Sequence, residues 1–152
     1  MAFTPLQDLL PELAYKEVRI ITLVENYGEI PKDSYGLVEA YCDEINCDCR
    51  RVMLSVHPLK RGPIAVIAYG WESKFFYARW YHIDMKKLTS QDRRALNELK
   101  GPCLNSMSPQ SKLAPYFLKL VTEYVLEDQA YVERLKRHYK LFKAEVKKHY
   151  QK

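Results

Sequence analysis

Long hydrophobic runs are missing from this chain. The longest apolar stretch, residues 64–69, has the length of a single strand, whereas a membrane-spanning helix needs about 20 apolar residues. Residues 1–5 also lack the basic and apolar regions of a secretion signal. These absences predict a cytoplasmic protein with no membrane partner. In a reducing compartment, cysteines serve metal binding or redox chemistry more often than disulfides.

Several enzyme signatures are also missing. The sequence contains only five glycines, and they form no glycine-rich phosphate loop. It has no Gly-x-Ser-x-Gly nucleophile elbow and no His-Glu-x-x-His zinc motif. Three carboxylates could act as a base but have no recognised catalytic spacing: Glu39, Asp48 and Glu72. The sequence therefore indicates no particular reaction, and it favours a binding protein over an enzyme.

Cysteine is scarce but concentrated. The chain has four cysteines, and three of them, Cys42, Cys47 and Cys49, lie within eight residues. Zn²⁺ takes four ligands in a tetrahedron and accepts thiolates readily. Cys47 and Cys49 are two residues apart, so in extended backbone their side chains point to the same side. The four residues after Cys42 can fold it back beside them, and the spacing therefore predicts a zinc site.

The sequence does not identify the fourth zinc ligand. Cys103, in a loop rich in proline and serine, is the first candidate, and the alternatives are His57, His82, Asp43 and Asp48. Four thiolates would close the site and make it structural, whereas three thiolates and a water would leave a catalytic position. The leading hypothesis is a zinc-stabilised binding module. The alternatives are a metal-dependent hydrolase or nuclease, and three free cysteines around a turn.

Strand-like segments precede helical ones along the chain. Apolar and β-branched residues predict strands over residues 17–24, 35–42, 49–56 and 64–69. Short linkers between them favour antiparallel pairing. Helix-start signals follow at Ser73, Thr89, Pro115 and Asp128. We expect one α+β domain over residues 1–152, strand-rich over 15–70 and helical over 73–152, with an antiparallel sheet of about four strands packed by C-terminal helices.

Positive charge is concentrated at the C-terminus. Residues 129–152 hold eight Lys and Arg against two Asp and Glu, and their apolar residues recur at the spacing of an amphipathic helix. Four lysines on this helix could contact nucleic acid or a protein: Lys140, Lys143, Lys147 and Lys148. A solvated face and pairing with another chain's helix are the alternatives. The oligomeric state stays open, and His138 is interpreted as a surface residue.

Several segments of the chain resemble a family of uncharacterised bacterial proteins. They are the Cys-x(4)-Cys-x-Cys-Arg-Arg segment with the strand before it, over residues 35–51, and the shorter runs 69–73, 109–111 and 131–139. The resemblance covers most of the chain and implies a bacterial, cytosolic protein. No activity is established for that family, so the resemblance implies neither a function nor a choice of the fourth metal ligand.

Overall fold

A computed structural model of the protein describes residues 2–150. The strands are Phe3–Pro5 (β1), Arg19–Leu23 (β2), Asp33–Cys42 (β3), Arg51–Pro58 (β4), Ala65–Gly70 (β5) and Cys103–Leu104 (β6). The helices are Leu6–Leu9 (α1), Pro11–Lys16 (α2), Lys74–Trp80 (α3), Ser90–Lys100 (α4), Ala114–Leu120 (α5) and Gln129–Tyr150 (α6). A π-helical turn, Val121–Val125, continues α5.

The strands of the described chain form one antiparallel sheet of six strands. β3, β4 and β5 follow one another as a meander, and β6 pairs with the outer edge of β5. β1 and β2 share the other edge of β3, where Phe3 lies opposite Cys42. The α+β class is confirmed, but the expected number of about four strands is too low. β1 and β6 have three and two residues, too few to show a periodic pattern.

One face of the sheet carries the main core. Alternate residues of β3 are buried, as expected for a strand with one covered face. They pack against α5, the π-helical turn and α6. The ring centroids of Tyr35 and Phe117 are 4.7 Å apart, and those of Tyr41 and Phe142 are 5.6 Å apart. This face agrees with the expected packing by C-terminal helices.

Part of the opposite face is covered by α3 and α4. α3 and α4 form a second apolar cluster around Tyr77 and Leu99. The guanidinium of Arg51, from β4, donates to the carbonyl oxygen of Leu99 at 2.7 Å. At the N-terminus, α1 packs on the main core face, since Leu6 belongs to that core and α1 contacts β3 and α6. The packing prediction was therefore incomplete, because helices from the N-terminal and central parts of the chain also cover the sheet.

The predicted helix starts at Ser73 and Thr89 are confirmed by their capping contacts. Ser73 Oγ accepts the backbone N–H of Phe76. Thr89 and Asp92 form a capping box, in which each side chain accepts the other residue's backbone N–H. No helix within residues 2–150 combines the length and the apolar character that a membrane crossing requires.

A buried polar group joins α6 to the sheet. His138 is fully buried, so its interpretation as a surface residue was wrong. Its Nδ1 lies 2.7 Å from Glu39 Oε1 on β3, and the same oxygen accepts the hydroxyl of Tyr41 at 2.6 Å. Its Nε2 lies 3.3 Å from Glu17 Oε1 but makes no well-directed hydrogen bond. Glu17 in turn pairs with Arg137.

The pairing of Glu17 predicts an acid-dependent loss of stability. A hydrogen bond from Arg137, together with His138, lowers the pKa of Glu17 from 4.5 to about 2. A carboxyl whose pKa is depressed on folding stabilises the protein above its unfolded pKa, and this contribution is lost as the pH falls toward the folded pKa. We therefore expect Glu17→Gln to flatten the pH dependence of unfolding between about pH 4.5 and 2. Urea unfolding at several pH values measures this, and an unchanged slope would contradict it.

A second prediction concerns the close approach of α3 to β5. A Cβ added to Gly70 would stand 2.6 Å from Tyr77 Cζ and nearer still to its hydroxyl oxygen. That hydroxyl cannot retreat freely, because it donates to the carbonyl oxygen of Arg50 at 2.8 Å. We expect Gly70→Ala to lower the free energy of unfolding by about 1–3 kcal/mol. Gly62→Ala is the matched control, since a Cβ there meets nothing within 4 Å, and equal losses in both variants would refute the steric account.

Candidate metal centre

The loop between β3 and β4 brings three cysteines together. The Sγ atoms of Cys42, Cys47 and Cys49 all lie within 4.8 Å of one another. Four sulfurs at the usual zinc–sulfur distance of about 2.3 Å are separated by about 3.8 Å in a tetrahedron. The loop therefore needs only a small closure for the three sulfurs to bind one ion. This group could hold a metal ion, as the spacing in the sequence predicted.

Backbone hydrogen bonds are directed at two of these sulfurs. Cys42 and Cys49 are fully buried, whereas Cys47 is partly exposed. The backbone of Glu44 makes a hydrogen bond to Cys42 that favours the thiolate, and the backbone of Arg51 does the same for Cys49. In each case the partner lies two residues after the cysteine. Such bonds help a buried sulfur to carry the negative charge that metal binding requires.

The protonation of the thiols is set mainly by burial. Burial raises the pKa of Cys42, and it raises the pKa of Cys49 to about 12, with the neighbouring thiols adding to the effect. Without an ion these two groups are therefore protonated at neutral pH. A metal ion that binds here must displace those protons, so binding becomes more favourable as the pH rises.

Tyr139 of α6 positions the loop. Its hydroxyl donates to Asp48 Oδ1 at 2.9 Å and accepts the backbone N–H of Arg50 at 3.3 Å. Arg50 has a φ of 51°, a left-handed conformation that costs roughly 1–2 kcal/mol outside glycine. Its carbonyl oxygen accepts the Tyr77 hydroxyl, and its guanidinium binds Asp48 at 2.8 Å. Contacts from both sides thus hold Arg50 in the strained conformation that turns the chain into β4.

Lys143 lies directly over the same loop. Its Nζ donates to the carbonyl oxygen of Glu44 at 3.1 Å and stands 5.6 Å from the ring centre of Tyr139. Its positive charge acts to lower the pKa values of Cys42 and Cys49, against the larger effect of burial. A divalent ion with three thiolates carries a net charge of about −1. Lys143 is therefore placed to compensate that charge.

A cavity of about 500 Å³ opens between the loop and α6, beside Cys47. Its wall contains Ile45, Asn46, Cys47, Asp48, Tyr139, Lys140, Lys143, Ala144 and Lys147. The three lysines are spaced by three and four residues, so they share one face of α6. Lys148 does not line this cavity and instead binds Glu145 at 3.0 Å. Of the four lysines predicted as a contact surface, the structure gathers three beside the cysteines.

Cys103 is not brought to this group. It lies on β6, where it pairs with Ala68 of β5. β6 is three strands away from β3 in the sheet, which corresponds to about 14 Å at the usual strand spacing. Its Sγ contacts the carbonyl oxygen of Glu98 at 3.6 Å. We expected Cys103 to reach the other cysteines from a loop. It lies instead on the edge strand β6, away from the three sulfurs.

The other ligand candidates also lie apart from the sulfurs. Among residues 2–150, no further His, Cys, Asp or Glu joins the group at this distance. Asp43 accepts the hydroxyl of Thr4 at 2.8 Å. His57 lies on β4, where burial lowers its pKa, and His82 follows α3 in a left-handed conformation. Asp48 is close in sequence but is bound by Arg50 and Tyr139, as described above.

The carboxylates considered as catalytic bases are engaged elsewhere. Glu39 is buried on the main core face, where it binds Tyr41 and His138. Glu72 lies 3.4 Å from Arg50 Nη1. Neither belongs to the sulfur group. Sequence reasoning missed the residues that organise the loop, Tyr139 above all, because a tyrosine in an apolar stripe gives no sign that its hydroxyl makes a long-range contact.

Comparisons with family models, with curated proteins and with solved structures found no match to this chain. The resemblance of its cysteine segment to a bacterial family therefore stays a prediction. Function has to be argued from the geometry and chemistry of the site itself.

Proposed function

We propose that this chain is a small cytoplasmic protein stabilised by Zn²⁺, which Cys42, Cys47 and Cys49 bind. The convergence of three sulfur atoms within 4.8 Å carries this proposal. Thiolates favour soft and borderline metal ions, and zinc is the common choice where no redox chemistry is needed. The four cysteines are free rather than disulfide-bonded, which suits a reducing compartment.

The bound ion would act as a clip between strands. It would join the end of β3 to the start of β4 and fix the loop against which Tyr139 and Lys143 pack. Since no carboxylate or imidazole within residues 2–150 joins the sulfur group, a structural role is better supported than catalysis. The metal-dependent hydrolase or nuclease stays the second candidate, because three protein ligands leave one position of a four-coordinate ion free.

The basic face of α6 supplies the binding surface in this proposal, and nucleic acid is the partner that we favour. Arg134 and Arg137 are paired with Glu17, and Lys148 is paired with Glu145. Lys140 and Lys147 form no hydrogen bond or ion pair that the described residues provide, so they are available to phosphate groups. An acidic protein surface is the alternative partner.

Zinc content tests the metal proposal. We expect about one zinc ion per chain in elemental analysis of protein purified without chelators, because three thiolates hold zinc tightly at neutral pH. Cys47→Ser removes one ligand with little effect on packing, since Cys47 is partly exposed, and should lose most of the metal.

Cys103→Ser is the matched control for this measurement and should retain the zinc, because Cys103 lies on β6 away from the group. Purified wild-type protein without zinc, and unable to take it up, would refute the proposal. Equal loss from both variants would mean that Cys103 is a ligand after all.

Salt-dependent binding tests the basic face. We expect labelled DNA or RNA to bind more weakly at higher salt, because lysine contacts release counterions from the phosphates. Replacing Lys140, Lys143 and Lys147 by Gln should weaken binding and reduce the salt slope by about one per lost phosphate contact. Lys148→Gln is the control, since its ammonium already pairs with Glu145. Unchanged affinity in the triple variant would rule out this face as the nucleic-acid contact.

A further inference from the structure

A four-coordinate ion on the three sulfurs needs one more ligand. Among residues 2–150, no further His, Cys, Asp or Glu belongs to the group. Asp48, the carboxylate between two of the cysteines, is engaged at both oxygens. Its Oδ2 accepts the guanidinium of Arg50 at 2.8 Å, and its Oδ1 accepts the hydroxyl of Tyr139 at 2.9 Å. The fourth ligand therefore has to come from outside these side chains.

The side from which such a ligand can approach is set by burial. Cys42 and Cys49 are fully buried, so of the three sulfurs only that of Cys47 borders open space. The cavity of about 500 Å³ begins at Cys47 and runs along α6. Pockets that hold small molecules usually enclose about 300–1,000 Å³. Cys47 also lines a second cavity of about 460 Å³ beside Glu44 and Trp80. Of these two cavities next to the open coordination position, only the one along α6 is lined by lysines.

The charge of this cavity selects the ligand. Lys140, Lys143 and Lys147 line it, and the acidic residue of its wall, Asp48, is paired with Arg50. Lys143 is held over the loop by its bond to Glu44. Lys140 and Lys147 have no hydrogen-bonded or ionic partner in the described part of the chain. Two unpaired ammonium groups beside a metal position favour a ligand with several anionic oxygens.

We infer that the fourth ligand is a phosphate group of a larger molecule, with one oxygen on the metal and others accepting hydrogen bonds from Lys140 and Lys147. A phosphate can serve both because its oxygens point in different directions. The cavity, at about 500 Å³, is larger than one phosphate ion and has room for the rest of a phosphorylated molecule. This inference rests on the proposed metal site and would make the lysine face a specific phosphate site rather than a general polyanion surface.

Cobalt-loaded protein tests the inference. Co²⁺ enters thiolate sites in place of Zn²⁺, and its visible absorption bands report the number and kind of its ligands. Inorganic phosphate should change these bands saturably, whereas acetate at the same ionic strength should not. Lys140→Gln with Lys147→Gln should raise the apparent Kd for phosphate at least about tenfold. Lys148→Gln, outside the cavity, should leave it within about twofold.

Two oligonucleotides of one sequence, with a 5′-phosphate and with a 5′-hydroxyl, identify the source of the phosphate. A response to the 5′-phosphate form alone would assign the site to nucleic-acid ends, and a response to inorganic phosphate alone to a small phosphorylated molecule. Cobalt bands that phosphate does not change, that acetate changes equally, or that respond alike in the double variant would overturn the inference and leave the metal site standing. Protein that yields no thiolate–cobalt bands would refute the metal site itself.

Discussion

The arrangement of the site depends on two adjacent residues of α6. His138 is buried against Glu39 of β3, and Tyr139 joins Asp48 and Arg50 in the loop between β3 and β4. A buried charged or polar pair is costly to separate, because each partner left alone loses its compensation in a medium of low dielectric. These contacts fix both the rotation of α6 and its position along the sheet.

The position of α6 in turn determines the chemistry around the cysteines. One turn beyond Tyr139, Lys143 reaches the loop carbonyl of Glu44, and Lys140 and Lys147 share its face of the helix. The Cys47 thiol of the loop, which would lose its proton on binding a metal ion, and the ammonium groups of the helix therefore lie on facing sides of the same cavity. The loop after β3 and the C-terminal helix are far apart in the sequence, and they meet here through the hydrogen bonds of Tyr139 to Asp48 and of Lys143 to the carbonyl oxygen of Glu44. Metal binding would strengthen this contact by fixing the loop.

Local patterns in the sequence predicted much of this fold, and long-range contacts supplied the rest. The cysteine spacing predicted a cluster of three sulfurs, Thr89 and Asp92 predicted a capping box, and the short linkers predicted antiparallel strands. Each of these signals lies within a few residues of sequence, and the structure contains all three features. Cys103 was a misleading candidate because sequence distance does not reveal that β6 places it three strands away. His138 was misjudged because its partner Glu39 lies 99 residues earlier. A helical stripe identifies apolar positions, but it does not reveal a buried hydrogen bond between a histidine and a distant carboxyl group.

We propose that Cys42, Cys47 and Cys49 bind a metal ion whose fourth ligand is not a side chain of residues 2–150. X-ray absorption at the zinc edge of the zinc-loaded protein measures this most directly. The structure predicts three sulfur neighbours at about 2.3 Å and one oxygen or nitrogen at about 2.0–2.2 Å. Four sulfur neighbours would restore Cys103 as a ligand and contradict the sheet geometry. A shell of oxygen and nitrogen alone would contradict the claim altogether.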